Sequence, residues 1–442
     1  MANPERLRVL IHSSYPIGDK KPSGVGTFIQ EIVPHLETNG CDVATLGPIE
    51  TGEKDDADYH LGRARNFHAL GTNIPAAVSF NKLKARRVLV DFKPHVIVSH
   101  EPAVPNSSHT LYSAIPQRED GKRAIPVIGQ FHAGKPPDGL DLKARLYVAL
   151  AKTLRRPKFR YGIPAGLTMG YVQTIVHALV GRIAVSAGTK DYWREMFPGD
   201  YRVIYNGIDV ETFTPPGERF RNWGKTGDKN ILFAGRPDER KGLEYLLYAF
   251  AALRNVGLNN LKLQLAGGDG NVTPRLKEIV GKENIPDVNF LGMLSREELA
   301  KAYRSADLLV APSIGGEGFN RTIAEARVSG TLVVCTDIEG QKEAIGEDLA
   351  PFMAKPRDSA DLARKIGTVL SLPNETALSL SESSRQDAME NFAWRVIAGK
   401  HVGYYDEVIR AHGEPLDWAR VSESFARFIP GVRNVVLNDK LR

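Results

Sequence analysis

Two glutamates, Glu317 and Glu325, are separated by seven residues in Gly315-Gly316-Glu317-Gly318-Phe319-Asn320-Arg321-Thr322-Ile323-Ala324-Glu325-Ala326. A carboxylate accepts two hydroxyl hydrogen bonds at once, so a pair of them suits a sugar or a ribose. A second stretch, Gly235-Arg236-Pro237-Asp238-Glu239-Arg240-Lys241-Gly242, offers the planar fork of Arg236 and the point charge of Lys241, both suited to a diphosphate. A cation at a helix start opposes the helix dipole, and a bound phosphate would offset that. A third, Ser23-Gly24-Val25-Gly26-Thr27, is a glycine turn ahead of a helix. Backbone N–H groups there bind anions, and the missing side chains let a ligand come close. Each stretch has a plainer reading: solvated glutamates, a lysine paired with a nearby acid, a tight turn without a ligand.

Two other chemistries are set aside. Ile29 occupies the place of the third glycine in a dinucleotide fingerprint, so no nicotinamide site is expected. Asp56-Ala57-Asp58 has the form of a metal-binding acidic triplet, but it lies in a polar loop rather than after a strand, and a solvated loop is the better reading. No His/Cys cluster has zinc spacing, so no metal is expected.

These stretches fall where apolar runs give way to helical patterns. The run 307–311 reads as a buried strand leading into Glu317. Strands are expected at 7–13, 42–46, 95–100, 125–131 and 181–186, with a helix over 27–37. A second series has strands at 230–235, 262–266, 288–291, 307–311 and 332–336, with a helix over 241–254. Strands alternating with helices predict parallel sheets covered on both faces, and ligands bind at the carboxyl ends of such strands. The fold class is therefore α/β: two Rossmann-like domains whose parallel sheets face a central cleft. Residues 1–212 form the first domain, 213–229 a Pro/Gly-rich linker, and 230–392 the second domain. A helix over 393–412 follows, then a tail, 413–442, without clear period.

With 442 residues, 42% hydrophobic and 25% charged, the chain has the composition of a soluble globular protein of two domains. Two cysteines exclude a disulfide framework and favour a reducing compartment. The chain enters a strand at Leu7, so no signal peptide is expected, and no apolar run is long enough to span a bilayer. The net charge of +6 is mild for a nucleic-acid binder, and no recognition motif accompanies the basic runs. Those runs are Lys82, Lys84, Arg86 and Arg87, and residues 143–160, which include Arg155 and Arg156. In the latter, Leu146, Tyr147, Leu150 and Leu154 recur at helical spacing, as in a basic amphipathic helix that lies on an anionic membrane. An ordinary surface helix is the alternative.

Taken in order, the glycine turn, Val185-Ser186, Tyr205-Asn206-Gly207-Ile208-Asp209 with Phe213, Gly235-Arg236…Lys241-Gly242, Glu317-Gly318-Phe319…Glu325-Ala326 and Ser329-Gly330-Thr331 resemble the retaining, nucleotide-sugar-dependent glycosyltransferases of family 4, which have the GT-B fold. His100-Glu101-Pro102, Gln130-Phe131-His132, 181–186, Ser305-Ala306-Asp307 and Gly315-Gly316-Glu317 make the chain most similar to the bacterial phosphatidylinositol α-mannosyltransferases within that family. The resemblance covers nearly all of the chain up to His412.

The resemblance implies a hexosyltransferase acting from a nucleoside-diphosphate sugar, with GDP-mannose favoured and Mg not required by any protein motif. Arg236 and Lys241 would hold the diphosphate, and Glu325 the ribose hydroxyls. Glu317 would lie by the transferred sugar, with N–H groups of Gly318, Phe319 and Asn320 on sugar or phosphate. Gly24, Val25 and Gly26 would close over the diphosphate from the other domain. His132 would be the active-site histidine near the anomeric carbon. The expected acceptor is lipid-linked, of phosphatidylinositol type, with the enzyme peripheral on the inner face of the plasma membrane. Front-face attack, the leaving phosphate taking the acceptor proton, is the implied chemistry, so Glu317 is not assigned as a nucleophile. Asn320 stands where many members have glycine, which alters the sugar pocket. The rivals are a family 4 enzyme with a soluble acceptor, a UDP-sugar epimerase of the same fold, and a silent nucleotide-sugar sensor.

Overall fold

A computed structural model of the chain describes residues 6–18, 24–49, 56–63, 65–69, 72–76, 79–103, 107–135, 175–220, 223, 227–413 and 418. The basic stretch 143–160, with Arg155 and Arg156, lies outside the described residues, as do Ser23 and nearly all of the tail.

The first domain runs β1 (Leu7–Ser13), α1 (Gly24–Thr38), β2 (Cys41–Ile49), β3 (Tyr59–Arg63), the antiparallel hairpin β4 (Arg65–Ala69) and β5 (Thr72–Ala76), α2 (Lys82–Phe92), β6 (Val96–His100), α3 (Ser108–Ala114), β7 (Val127–Phe131), β8 (Gly181–Ala184), α4 (Ala187–Met196) and β9 (Arg202–Val203). Its sheet has the order β3-β2-β1-β6-β7-β8-β9 and is parallel throughout. The second domain runs β10 (Lys229–Ala234), α5 (Leu243–Asn255), β11 (Leu261–Ala266), α6 (Thr273–Lys282), β12 (Val288–Gly292), α7 (Arg296–Ser305), β13 (Leu308–Ala311), α8 (Arg321–Val328), β14 (Leu332–Cys335), α9 (Lys342–Ile345), α10 (Ser359–Leu370) and α11 (Asn374–Phe392). Its sheet is also parallel, ordered β12-β11-β10-β13-β14.

Strands buried on both faces need apolar side chains at every position, and β13 (LLVA) and β14 (LVVC) supply them without alternation. In both sheets the order in which strands are added reverses once, between β1 and β6 and between β10 and β13. Loops after these strands diverge there and leave a crevice. Three of the candidate stretches follow these very strands, Gly24 to Gly26 after β1, Arg236 to Lys241 after β10 and Glu317 after β13, while His132 follows β7, one strand further along the first sheet.

Helix α12 (Trp394–His412) returns to the first domain, burying Trp394, Ile397, Tyr405 and Val408 among Val9 and Ile11 of β1 and Phe28 and Ile32 of α1. Each large apolar side chain so buried contributes roughly 1.5–3 kcal/mol, enough together to seat the helix firmly. The chain crosses between domains twice, side by side: Ile208 N–H donates to Phe392 O at 2.7 Å and Trp394 N–H to Ile208 O at 3.2 Å. Phe213, expected to begin a linker, is instead buried in the second core with its ring 5.7 Å from Tyr303. Trp418 in the tail is partly buried against the first core.

Candidate functional site

Lys241 was expected at the start of a helix over 241–254. It occupies instead the last position of a one-turn 3-10 segment, Glu239–Lys241, ahead of Gly242. Gly242 has φ +63°, and a Cβ there would overlap the Pro312 carbonyl oxygen. This close approach delivers the turn to the loop after β13. Lys241 Nζ sits 2.9 Å from Glu317 Oε1, which also accepts from Ser313 Oγ at 3.0 Å. The counter-charge of Lys241 in this structure is therefore Glu317. Burial alone would raise the Glu317 pKa, but the Lys241 ammonium and Arg240 guanidinium outweigh it and hold the carboxyl below its ordinary value. Arg240 Nη1 donates to Gly316 O at 2.8 Å and Nη2 to Asp238 Oδ2 at 2.9 Å, bracing the glycine loop.

Arg236 does not join this cluster. Its side chain is 70% exposed and only 3.9 Å from Asp238 Oδ2 at its closest charge contact, so it forms a solvated rim. Beside it a cavity of about 110 Å³ opens at the carboxyl ends of β10 to β12, lined by Phe233, Leu265 and Phe290 together with Asp269, Thr273 and Lys277.

Glu325 forms a second cluster. The Tyr303 hydroxyl donates to its Oε2 at 3.0 Å, and Arg321 lies 3.7 Å from Oε1. Burial raises its pKa against the pull of Arg321. Arg321 also donates to Glu31 of α1 at 2.6 Å, and Glu31 binds Arg296 and Trp394 Nε1 as well. Arg296 reaches Asp209 Oδ2 at 3.1 Å. Glu325 is thus linked through Arg321 to Glu31 of the first domain.

That domain brings three features. Helix α1 starts at Gly24, not at 27, so Gly24, Val25 and Gly26 form its first turn, at the positive end of the helix dipole. Gly24 is exposed, with open space where a side chain would be. His132, after β7, is half-buried, and its Nε2 lies 2.9 Å from His100 Nδ1. Burial pushes its pKa down to about 3. The following loop meets the glutamate loop backbone to backbone. A Cβ at Gly134 would overlap the Glu317 carbonyl oxygen, and one at Gly318 the His132 carbonyl oxygen. Gly316 N–H donates to Lys135 O at 2.8 Å, and Thr189 Oγ1 to Gly318 O at 3.3 Å.

The structure therefore joins Lys241, Glu317, Gly318 and His132, places Glu325 in an adjoining cluster, and leaves Arg236 in solvent. One expected backbone donor needs correction. Asn320 N–H is already engaged by Gly340 O at 2.9 Å, and Asn320 Oδ1 accepts from Thr322 Oγ1 at 2.8 Å. The Phe319 side chain is a core group, its ring 5.7 Å from Tyr205 and 5.1 Å from Phe392. Arg240, Ser313 and Glu31 were missed. Arg240 stands beside Lys241, and only the turn geometry separates it from Arg236. Among the described residues no group of three or more His, Cys, Asp or Glu could hold a metal ion. Asp58 of the acidic triplet caps Thr45, accepting its N–H at 2.8 Å and Oγ1–H at 2.9 Å.

On the surface, α2 buries Ala85, Val88, Leu89 and Val90 and exposes Lys82, Lys84 and Arg87, with Arg86 half-buried. Next to these cations Phe80 is 88% and Leu83 52% exposed. Among the described residues no helix is long and apolar enough to cross a membrane.

The family model for "Glycosyltransferase Family 4" matches residues 22–212, and that for "Glycosyl transferases group 1" matches 217–387. The boundary between the two matches falls at the crossing between the domains. The chain is a family 4 glycosyltransferase of the GT-B fold. A phosphatidyl-myo-inositol mannosyltransferase of Mycobacterium leprae is 26% identical over 394 residues, 88% of this chain and 94% of that one. A D-inositol 3-phosphate glycosyltransferase of Saccharomonospora viridis is 31% identical over 261 residues, 56% and 60% of the two chains. Among solved structures, a sucrose-phosphate synthase of Thermosynechococcus elongatus superposes with a TM-score of 0.66 at 18% identity, covering 92% of this chain and all of that one. In a glycosyltransferase of this fold, a cation cluster at one domain face and a helix N-terminus at the other can hold the two ends of an anionic leaving group. The Lys241–Glu317 and His132 loops meet between them.

Proposed function

We propose that this enzyme transfers a hexose, mannose, from GDP-mannose to a phosphatidylinositol-type lipid at the membrane surface, with retention at the anomeric carbon. The observation that carries the transfer is the meeting of the Lys241–Glu317 pair with the His132 loop between the two domains. Breaking the anomeric C–O bond leaves negative charge on the diphosphate, and Lys241 with the first turn of α1 stabilises it by preorganised electrostatics. Arg236 stands at the rim, extended toward solvent, where an arriving diphosphate would engage its guanidinium. Glu317, kept anionic by Lys241 and Arg240, faces the positive charge that develops on the sugar. Front-face attack, with the departing phosphate taking the acceptor proton, needs no protein nucleophile. Contact of the two loops excludes water and limits hydrolysis of the donor.

Two observations support the lipid acceptor. The mycobacterial phosphatidyl-myo-inositol enzymes align over nearly their whole length. Exposed Phe80 and Leu83 lie among Lys82, Lys84 and Arg87, an apolar tip ringed by cations that suits an anionic leaflet. This reading makes the enzyme peripheral on the cytoplasmic leaflet. The 31% identity to the D-inositol 3-phosphate glycosyltransferase favours a second reading, a soluble inositol phosphate acceptor.

Calorimetry with GDP, UDP and their sugars, followed by turnover with phosphatidylinositol vesicles or inositol phosphate, tests both. GDP binding with transfer to vesicles is expected. Transfer only to inositol phosphate selects the second reading, and absence of any nucleotide binding removes both.

A further inference from the structure

His100 and Glu101, consecutive at the end of β6, take part in none of the steps above, yet both grip the start of the His132 loop. In the parallel register His100 pairs with Gln130, so its side chain shares a face with Gln130 and, two residues on, His132. The two imidazoles lie nearly parallel, with centroids 5.2 Å apart and planes 21° apart, and share a 2.9 Å hydrogen bond between His100 Nδ1 and His132 Nε2. Phe28 of α1 closes the assembly, its ring 4.9 Å from His132 and 5.5 Å from His100. Glu101 acts on the backbone. Its Oε1 accepts the His132 and Ala133 N–H groups, each at 2.7 Å. It does so from φ +50°, a conformation a non-glycine residue keeps only where surrounding structure enforces it. One residue further on, Gly134 touches the Glu317 carbonyl.

We propose that His100 and Glu101 are positioning residues: His100 fixes the tautomer and orientation of the His132 imidazole, and Glu101 fixes the backbone that carries it against the Glu317 loop. The proposal rests on the glycosyl-transfer reading of that site. Burial holds both histidines below their ordinary pKa, so both rings are neutral near neutrality. In a hydrogen bond between neutral imidazoles one nitrogen must donate and the other accept. The bond thereby couples the two tautomers, so that removing the His100 ring releases the His132 imidazole from a fixed proton position. The same layout explains why two successive residues of β6, rather than scattered ones, hold the loop: a parallel strand end offers one side chain to the facing ring and the next to the neighbouring strand's exit.

The test uses the full chain with His100→Leu, His100→Asn, Glu101→Gln and His132→Ala. Each is followed by thermal unfolding, calorimetry with GDP and UDP, and nucleoside-diphosphate release from GDP-mannose with phosphatidylinositol vesicles. His100→Leu should lower kcat about 10²-fold, the scale of a misplaced reacting group, with the GDP dissociation constant and the donor KM unchanged. His100→Asn, whose amide lies near the Nδ1 position, should restore most of the rate. Glu101→Gln retains an acceptor oxygen and should lose much less than His100→Leu. The proposal is overturned if His100→Leu turns over like the parent while His132→Ala is inactive. It is also overturned if Leu and Asn at position 100 are equally slow. A parent chain that binds neither GDP nor UDP overturns the underlying reading instead.

Discussion

Replacing Lys241 by Met separates a functional cation from a structural ion pair. Its side chain is 15% exposed and that of Glu317 9%, so the pair is mostly out of water. Removing one partner of a buried pair costs roughly 3–5 kcal/mol because the other charge is left behind. Here Arg240 and the Ser313 hydroxyl still face the carboxylate and reduce the loss to roughly 2–3 kcal/mol. For a domain of this size that is a fall of about 5–10 °C in the second domain's unfolding transition. A charge-assisted bond to a phosphate is worth roughly 1.5–3 kcal/mol, so GDP affinity should drop about 10- to 100-fold. Glu317→Gln is the decisive companion. It also destabilises, but it frees the ammonium and removes a like charge from beside the phosphates, so GDP should bind at least as tightly while turnover falls. Thermal unfolding and GDP calorimetry on both variants give the four values. A purely structural pair would move stability alone, and a Lys241→Met protein that binds GDP like the parent would refute the electrostatic reasoning.

Three further outcomes follow from the same geometry. Burial raises Glu101 to about 7 against the two amide hydrogen bonds that lower it. Its folded pKa therefore exceeds its unfolded value, and its contribution is present at low pH and lost as the pH rises through about 7. Relative to the parent, Glu101→Gln should gain about 3 kcal/mol between pH 4 and pH 8, measured by denaturant titration; parallel stability curves would contradict this. The buried histidines His12, His100 and His401 and the half-buried His132 act in the opposite sense, losing stability as the pH falls below the ordinary histidine range, and cancel in that difference. Phe80→Asp with Leu83→Asp should cut co-sedimentation with anionic phosphatidylinositol vesicles at least about ten-fold, since each apolar side chain contributes roughly 1.5–3 kcal/mol on burial, with GDP binding intact; unchanged partitioning would remove the docking patch. Gly318→Ala places a methyl against the His132 carbonyl oxygen, so the domains must part. Small-angle scattering should show a larger radius of gyration and turnover should fall about 10²-fold, whereas an unchanged profile and rate would show that the contact is not kept in solution.

How much was legible before any coordinates depends on the range of the physics involved. Unbroken apolar runs such as 308–311 and 332–335 announce strands buried on both faces, because a parallel sheet under two helix layers has no wet side. The glycine turns at 24–26, 235–242 and 315–318 were legible as loops following strands, and they do line the two switch points. The pairing of Lys241 with Glu317 was not legible. It depends on the φ of Gly242 and on the Pro312 carbonyl, which bend a 3-10 turn so that Lys241 and Arg240 face the glycine loop while Arg236 faces water. Asn320 was offered as a ligand donor until Gly340, twenty residues on, took its N–H. Glu31 looked like one more helix glutamate, yet it binds Arg296 and Arg321 from across the domain boundary, and Trp394 of α12 beside it. The amino-acid order alone determined which segments become strands, helices and bare turns, because those choices rest on neighbours a few residues away. Only the tertiary structure decided which charge meets which, since a buried carboxylate or imidazole takes its state from groups brought close through space.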